Sequence, residues 1–324
     1  MIDEPYLTYD DVLLKPQRSS TDSRSDGDLT TNVTRNVTID SPLVSAPMDS
    51  VTDEDMAQAM ADNGGVGIIH RFGSIGERAE MVRSVDGTVG AAIGIGREEV
   101  ESALKFDHHA DFLCVDVAHA HLDKCIDFVG SVKSVCDSDI MVGNVATPKG
   151  ARDLLHAGAD AIRAGIGGGS HCTTREKTGV GVPQFTAVRN IALALDRFDS
   201  DIPLIADGGI RSPGDAMKAL GAGASAVMMG GTFGRCEESP EPGDVWGMAS
   251  SEGKKKIGAE GYIEGEKSSR SHWKSVDDVF VEYEDGILSG MSYIGASSVS
   301  EISDNADFCR ITPSTRERNG AFIK

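Results

Sequence analysis

The 324-residue sequence predicts an α/β protein of the (β/α)8 or TIM-barrel class. Three observations predict it. Eight short apolar runs, mostly β-branched, recur along the chain, each ending in a polar or glycine-rich turn. Segments of helical periodicity lie between them. Most successive runs end 21 to 28 residues apart, the length of one strand, one helix and two loops. Spacing this even favours a closed barrel over a doubly wound open sheet.

The runs, in order, are Leu43–Pro47, Val66–His70, Val89–Gly94, Phe112–Val117, Ile140–Val145, Ala161–Gly167, Pro203–Gly209 and Ser225–Gly230. Helical patterns include Asp53–Asn63, Pro148–Ala157 and Pro213–Gly221. The last two are entered through Thr147-Pro148 and Ser212-Pro213, an N-cap residue followed by proline at the first helical position. Two stretches break the period. One is the 42-residue interval that holds Gly167–Gln184. The other runs from Thr232 to about Lys274, rich in Gly, Glu, Lys and Ser, with the composition of a mobile loop over the barrel mouth. Residues 1–324 are therefore expected to form a single barrel domain, with a flap region at 232–274. In such a barrel the chemistry sits at the C-terminal strand ends. Here those ends read Ala46-Pro-Met-Asp49, His70-Arg71, Asp116-Val-Ala-His119, Gly143-Asn144, Gly165–Ser170, Asp207-Gly-Gly209 and Gly230-Gly231.

Acidic residues outnumber basic ones by 51 to 31, a net charge of −20. This argues against nucleic acid or an anionic membrane as the main partner, since both need a basic face. No apolar run reaches spanning length, and Met-Ile-Asp-Glu is no signal peptide. Cys114, Cys125, Cys136, Cys172, Cys236 and Cys309 form no CxxC pair and read as reduced thiols of a cytoplasmic protein. The acids are spread along the chain, as in a halophilic protein whose self-repulsion is relieved by screening. The thermal midpoint should therefore rise from dilute buffer to molar KCl. A flat midpoint would sink the halophile reading.

The sharpest motif is Gly165-Ile-Gly-Gly-Gly-Ser170-His-Cys172-Thr-Thr174. Glycines let backbone amides approach a ligand, and a cysteine on such a loop can act as a thiolate nucleophile. Gly208-Gly209 and Gly230-Gly231 stand after strands seven and eight, the usual phosphate site of these barrels, and Asp207 could accept from a ribose diol. His119-Ala-His121 raises a zinc hydrolase, but no further His follows strands five, seven or eight, so His119 is read as a buried, hydrogen-bonded residue. His108-His109 reads as surface. The Lys254-Lys255-Lys256 run reads as a solvated patch that could also draw in an anionic cofactor.

With these residues collected, the chain resembles the IMP dehydrogenase/GMP reductase family. The likeness runs from Thr8-Tyr-Asp-Asp-Val-Leu-Leu-Lys-Pro16 to Phe308-Cys-Arg-Ile-Thr312. It is carried by Ser45-Ala-Pro-Met-Asp49, Gly167–Thr174, Thr178-Gly-Val-Gly181, Ala206-Asp-Gly-Gly-Ile210 and Cys236-Glu-Glu-Ser239. The resemblance implies a purine nucleotide monophosphate bound beside a nicotinamide cofactor, in a homotetramer or octamer. Within the family the chain looks more like the reductases. Only 18 residues separate His70 from Val89, which leaves no room for a CBS pair. The 15 residues between Met248 and Glu264 hold no arginine, and so lack the Arg-Tyr pair with which the dehydrogenases activate water. Ser19–Asp26, Gly230-Gly231 and Cys236-Glu-Glu-Ser-Pro240 are also similar to reductases. Gly261, where many reductases have arginine, and Trp246, where Tyr or Phe is usual, depart from the pattern.

Carried over residue by residue, the resemblance implies Cys172 as nucleophile, with Thr174 and Glu264 relaying a proton. Glu264 is preferred to Glu260 because it lies 26 residues before Gly290, as the family pattern requires. Substrate contacts would come from Met48, Ser170, Asp207, Gly208, Gly209, Gly230, Gly231, Gly247, Met248, Ala249 and Gly265. NADPH would meet Ser23, Arg24, Arg71, Asp116, Val117, Ala118, Asn144 and Ser289. K⁺ would be held around Gly167, Gly169, Cys172 and Arg175.

Overall fold

The structure, a computed structural model, describes residues 5–20, 23–169, 172–198, 200–246, 250, 266–269 and 274–315. Eight parallel strands close into a barrel. They are β1 Leu43–Ser45, β2 Val66–Ile69, β3 Val89–Ile93, β4 Phe112–Asp116, β5 Asp139–Val145, β6 Ala161–Ala164, β7 Leu204–Asp207 and β8 Ala226–Met229. Each of the eight apolar runs supplies one of them. β6 stops short of its run because Gly165 takes φ +152° and turns the chain out of the sheet.

The helices are α1 Glu54–Asp62, α2 Ile75–Ser84, α3 Arg97–Phe106, α4 Asp123–Lys133, α5 Pro148–His156, α6 Thr174–Thr178, α7 Gln184–Arg197, α8 Pro213–Gly221, α9 Val276–Ile294 and α10 Val299–Asn305. Their starts follow local chemistry. Thr147 Oγ1 accepts from Gly150 N and Ser212 Oγ from Asp215 N, each at 3.2 Å, so both expected caps form. Asp53 and Ser74 cap α1 and α2 in the same way.

Alternate strand residues split the core in two. Val44, Val66, Ile68, Ala92, Phe112, Cys114, Met141, Ala161, Ile205, Ala226 and Met228 fill the barrel, while the other set packs under the helices. A short antiparallel pair, Thr31–Asn32 with Thr38–Ile39, brings Val33 and Ile39 into the interior cluster. Its loop is pinned by Asn36 N to Asp139 Oδ2 (2.7 Å) and Arg35 N to Asp160 O (3.0 Å), both at N-terminal strand ends. The N-terminal end of the barrel is thereby closed, and the C-terminal end carries the cavity. The flap region is not uniformly loop: Asp244–Trp246 pairs antiparallel with Lys267–Ser269. Among the described residues no helix is long and apolar enough to cross a membrane.

Candidate active site

Following the interior-facing positions toward the C-terminal strand ends, the apolar layers give way to charge. After Phe112 and Cys114 comes Asp116; after Ala161 comes Arg163; after Ile205 comes Asp207. Sequence reasoning missed Arg163, which is 3% exposed. Its Nη2 bonds Asp116 Oδ1, its Nε bonds Asn144 Oδ1, and Nε stands 3.5 Å from Asp207 Oδ2. Asn144 Nδ2 donates to Asp207 Oδ2 at 2.8 Å and to Gly165 O at 2.7 Å. Arg71 Nε lies 3.6 Å from Asp116 Oδ2. Two cations and two carboxylates thus balance in one network, the condition under which charge is tolerated inside a barrel.

Room for the guanidinium comes from Gly143, the β5 residue paired with Arg163, where a Cβ would sit 2.5 Å from Arg163 Cβ. Burial alone would lower the pKa of Arg163, but the Asp116 and Asp207 carboxylates more than offset it, so the pKa is raised and the group stays charged. Burial raises the pKa of Asp207, while Arg163 and the Asn144 bond pull it back down.

Beyond β6 the glycine loop folds over this layer. A Cβ at Gly165 would meet Asp207 O at 2.0 Å, so only glycine fits there. Gln184, also missed, donates from Nε2 to Ala164 O (2.7 Å) and Asp207 O (2.9 Å), locking the ends of β6 and β7 together. The loop delivers Cys172 immediately before α6, and Cys172 Sγ donates to Thr174 Oγ1 at 3.2 Å. Cys172 is partly exposed. Burial pushes the Cys114 and Cys236 thiols up to about 12 and those of Cys125 and Cys136 up to about 11, so these four stay protonated.

The cavity here measures about 850 Å³. It brings together Met48, Arg71, Asp116, Val117, Ala118, Asn144, Gly167, Gly169, Cys172, Thr174, Asp207, Gly208, Gly209, Gly230 and Gly231. Arg175 stands behind the loop, its Nη2 donating to Val182 O at 2.6 Å. Ser23, Arg24 and Ser289 are not part of the lining: the Arg24 guanidinium rests over the Tyr293 ring at 5.9 Å, and Ser289 is on α9. Ser170, Gly247, Met248, Ala249, Glu264, Gly265 and the Lys254–Lys256 run lie outside the described residues, as do Glu260, Gly261 and Tyr262. The reading of His119 is corrected. It is exposed at the cavity wall, because β4 ends at Asp116 and the chain has already left the barrel. His108 and His109 are exposed as expected.

The family description "IMP dehydrogenase / GMP reductase domain" matches residues 6–321. The chain belongs to the IMP dehydrogenase/GMP reductase family. Members of this family are oxidoreductases of purine metabolism that work with NAD(P). The chain is 32% identical to the inosine-5'-monophosphate dehydrogenase of Nitrosopumilus maritimus, over 94% of this chain and 96% of that protein. It is 34% identical to the GMP reductase of Streptococcus suis, over 92% and 93%. A crystal structure of a GMP reductase variant from Trypanosoma brucei, in complex with guanosine 5'-monophosphate, matches with TM-score 0.92 and 27% identity over 98% of both chains. Both activities of the family are thus represented at similar identity.

Proposed function

We propose that the chain is an NADPH-dependent GMP reductase, converting GMP to IMP and ammonia through a covalent cysteine intermediate. The observation that carries this reading is the 15-residue stretch between Met248 and Glu264, which has no arginine and so no Arg-Tyr pair to activate a hydrolytic water. The pairing of Cys172 with Thr174 at 3.2 Å fits the same chemistry. The Cys172 thiolate adds to purine C2 once the ring is protonated. Thr174 and Glu264 deliver a proton to the C2 amino group, which is too poor a leaving group to depart as an anion. NADPH supplies the hydride. Breaking the carbon–sulfur bond then restores the thiolate and releases IMP. One hydride and two protons enter, and one ammonium leaves.

Glycines at 208, 209, 230 and 231 suit a nucleotide phosphate, and Asp207 suits the ribose. Asp116 and Asn144 would orient the nicotinamide side. Carbonyls of Gly167, Gly169 and Cys172 would supply the oxygen donors that K⁺ takes; Gly169 O also accepts from Cys172 N at 3.1 Å. Ser23, Arg24 and Ser289 lie away from their own chain's cavity, so a cofactor contact from them would reach a neighbouring subunit of the proposed homotetramer. The rival reading, IMP dehydrogenase, has relatives of comparable identity. Absorbance at the nicotinamide band separates the two. GMP plus NADPH should consume NADPH and release ammonia. Robust XMP formation from IMP and NAD⁺, with no GMP-dependent oxidation, would overturn the reductase reading.

A further inference from the structure

The turn after β1 brings Met48 to the cavity, and its backbone closes on itself. Met48 N donates to Ala46 O at 2.7 Å, and Met48 O accepts from Val51 N and Thr52 N, each at 2.9 Å. Thr52 Oγ1 adds a bond to Ala46 O at 2.7 Å. A Cβ at Gly230 would meet the Met48 sulfur at 2.9 Å, so the bare backbone of Gly230 makes room for the thioether in the cavity wall.

Asp49, the next residue, is buried outside the lining. A buried carboxylate needs donors. Trp246, also buried, supplies one: its Nε1 donates to Asp49 Oδ1 at 3.0 Å, and its backbone N donates to Ser50 Oγ at 3.4 Å. Nε1 is the one polar atom of an indole, so the bond fixes the orientation of the ring. Lys267 Nζ stands 5.5 Å from the ring centroid and pairs with Asp244 Oδ2 at 2.6 Å, across the strand pair Asp244–Trp246 with Lys267–Ser269. One residue back, Val245 and Val51, both fully buried, close on Gly234, where a Cβ would stand 2.6 Å from Val245 Cγ2 and 3.2 Å from Val51 Cγ2. Two hydrogen bonds and an apolar contact therefore join the strand pair to the turn, through residues none of which lines the cavity.

We infer that Trp246 and Asp49 are positioning residues for Met48: the bond from indole to carboxylate sets where the thioether stands in the cavity, and thereby the affinity for the purine nucleotide. This rests on the cavity being a purine nucleotide site with Met48 among its contacts. Trp246 acts on the ligand through Asp49 and Met48, so its loss weakens nucleotide binding while leaving Cys172, Thr174 and Asp207 in place.

The test is calorimetric binding of GMP and of IMP to the full chain without cofactor, so that no turnover is needed. Trp246→Phe keeps an aromatic ring beside Lys267 and removes the donor. It should weaken nucleotide binding about tenfold, roughly 1.4 kcal/mol. In a Met48→Ala background the same substitution should change affinity by less than about twofold, because the group being positioned is gone. A loss of stability alone would weaken both backgrounds equally. Asp49→Leu, of similar size with no acceptor, should match Trp246→Phe, and Asp49→Asn, which keeps a carbonyl acceptor, should recover most of the affinity. Wild-type affinity in Trp246→Phe, or a loss that persists in full with Met48→Ala, would overturn the inference. Should Trp246→Phe not fold, the two Asp49 variants decide: recovery by Asn over Leu supports the pair, and equal affinities overturn it. A protein that fails to oxidise NADPH with GMP defeats the reductase reading alone, since these comparisons are of binding.

Discussion

Cys172→Ala is expected to lower kcat by about a thousandfold or more, roughly 4 kcal/mol in barrier, while purine nucleotide still binds. Cys172 opens onto the cavity with its sulfur 3.2 Å from Thr174 Oγ1. No substitute thiol is at hand: four of the other cysteines are buried with raised pKa values, and Cys309 does not line the cavity. Binding should persist because Asp207 and the paired glycines, the groups proposed to face the nucleotide, are untouched. Losing kcat without losing binding is the signature of an interaction made in the transition state. NADPH consumption together with calorimetric nucleotide binding checks this. Turnover within about tenfold of wild type, roughly 1.4 kcal/mol, would show that the thiol is not the nucleophile.

The second large effect belongs to Arg163. Arg163→Met should destabilise the fold by about 3–5 kcal/mol, the cost of leaving buried charge without its partner. Asp116 and Asp207 would then face each other with, among the described residues, only Arg71, 3.6 Å from Asp116, to compensate. The loss should depend on pH. Burial already raises the pKa of Asp207, and Arg163 is the largest influence lowering it, so removing Arg163 raises it further. A carboxyl with a raised folded-state pKa stabilises when protonated. That contribution is complete below the unfolded value and is lost as pH rises through the folded one. The variant should therefore sit closest to wild type in mild acid and furthest from it at alkaline pH. Urea unfolding across that range measures it. A uniform loss at every pH would mean that Asp207 does not titrate with the network. Arg163→Lys should recover part of the stability, because one charge remains while the fork to Asn144 and Asp116 is lost.

Several things were legible in the sequence by itself. Eight apolar runs at even spacing specified the barrel, because one strand, one helix and two loops take a nearly fixed length of chain. Thr147-Pro148 and Ser212-Pro213 specified helix starts, since capping is local chemistry. Gly165–Thr174 marked the loop that brings Cys172 to the cavity, because close backbone approach leaves only glycine.

Tertiary structure decided the rest. Arg163 lies within an apolar strand, and nothing in Ala161-Ile-Arg-Ala164 says which face it takes. Closure of the barrel turns it inward beside Asp116 and Asp207, residues 47 and 44 positions away in the chain, and the bare backbone of Gly143 gives it room. Gln184 clamps two strand ends that only folding brings together. His119 was expected to be buried and hydrogen-bonded because the further ligands of a zinc site are missing from later strand ends. The structure exposes it because β4 ends three residues earlier, and whether a residue beyond a strand end is covered depends on the neighbouring loops.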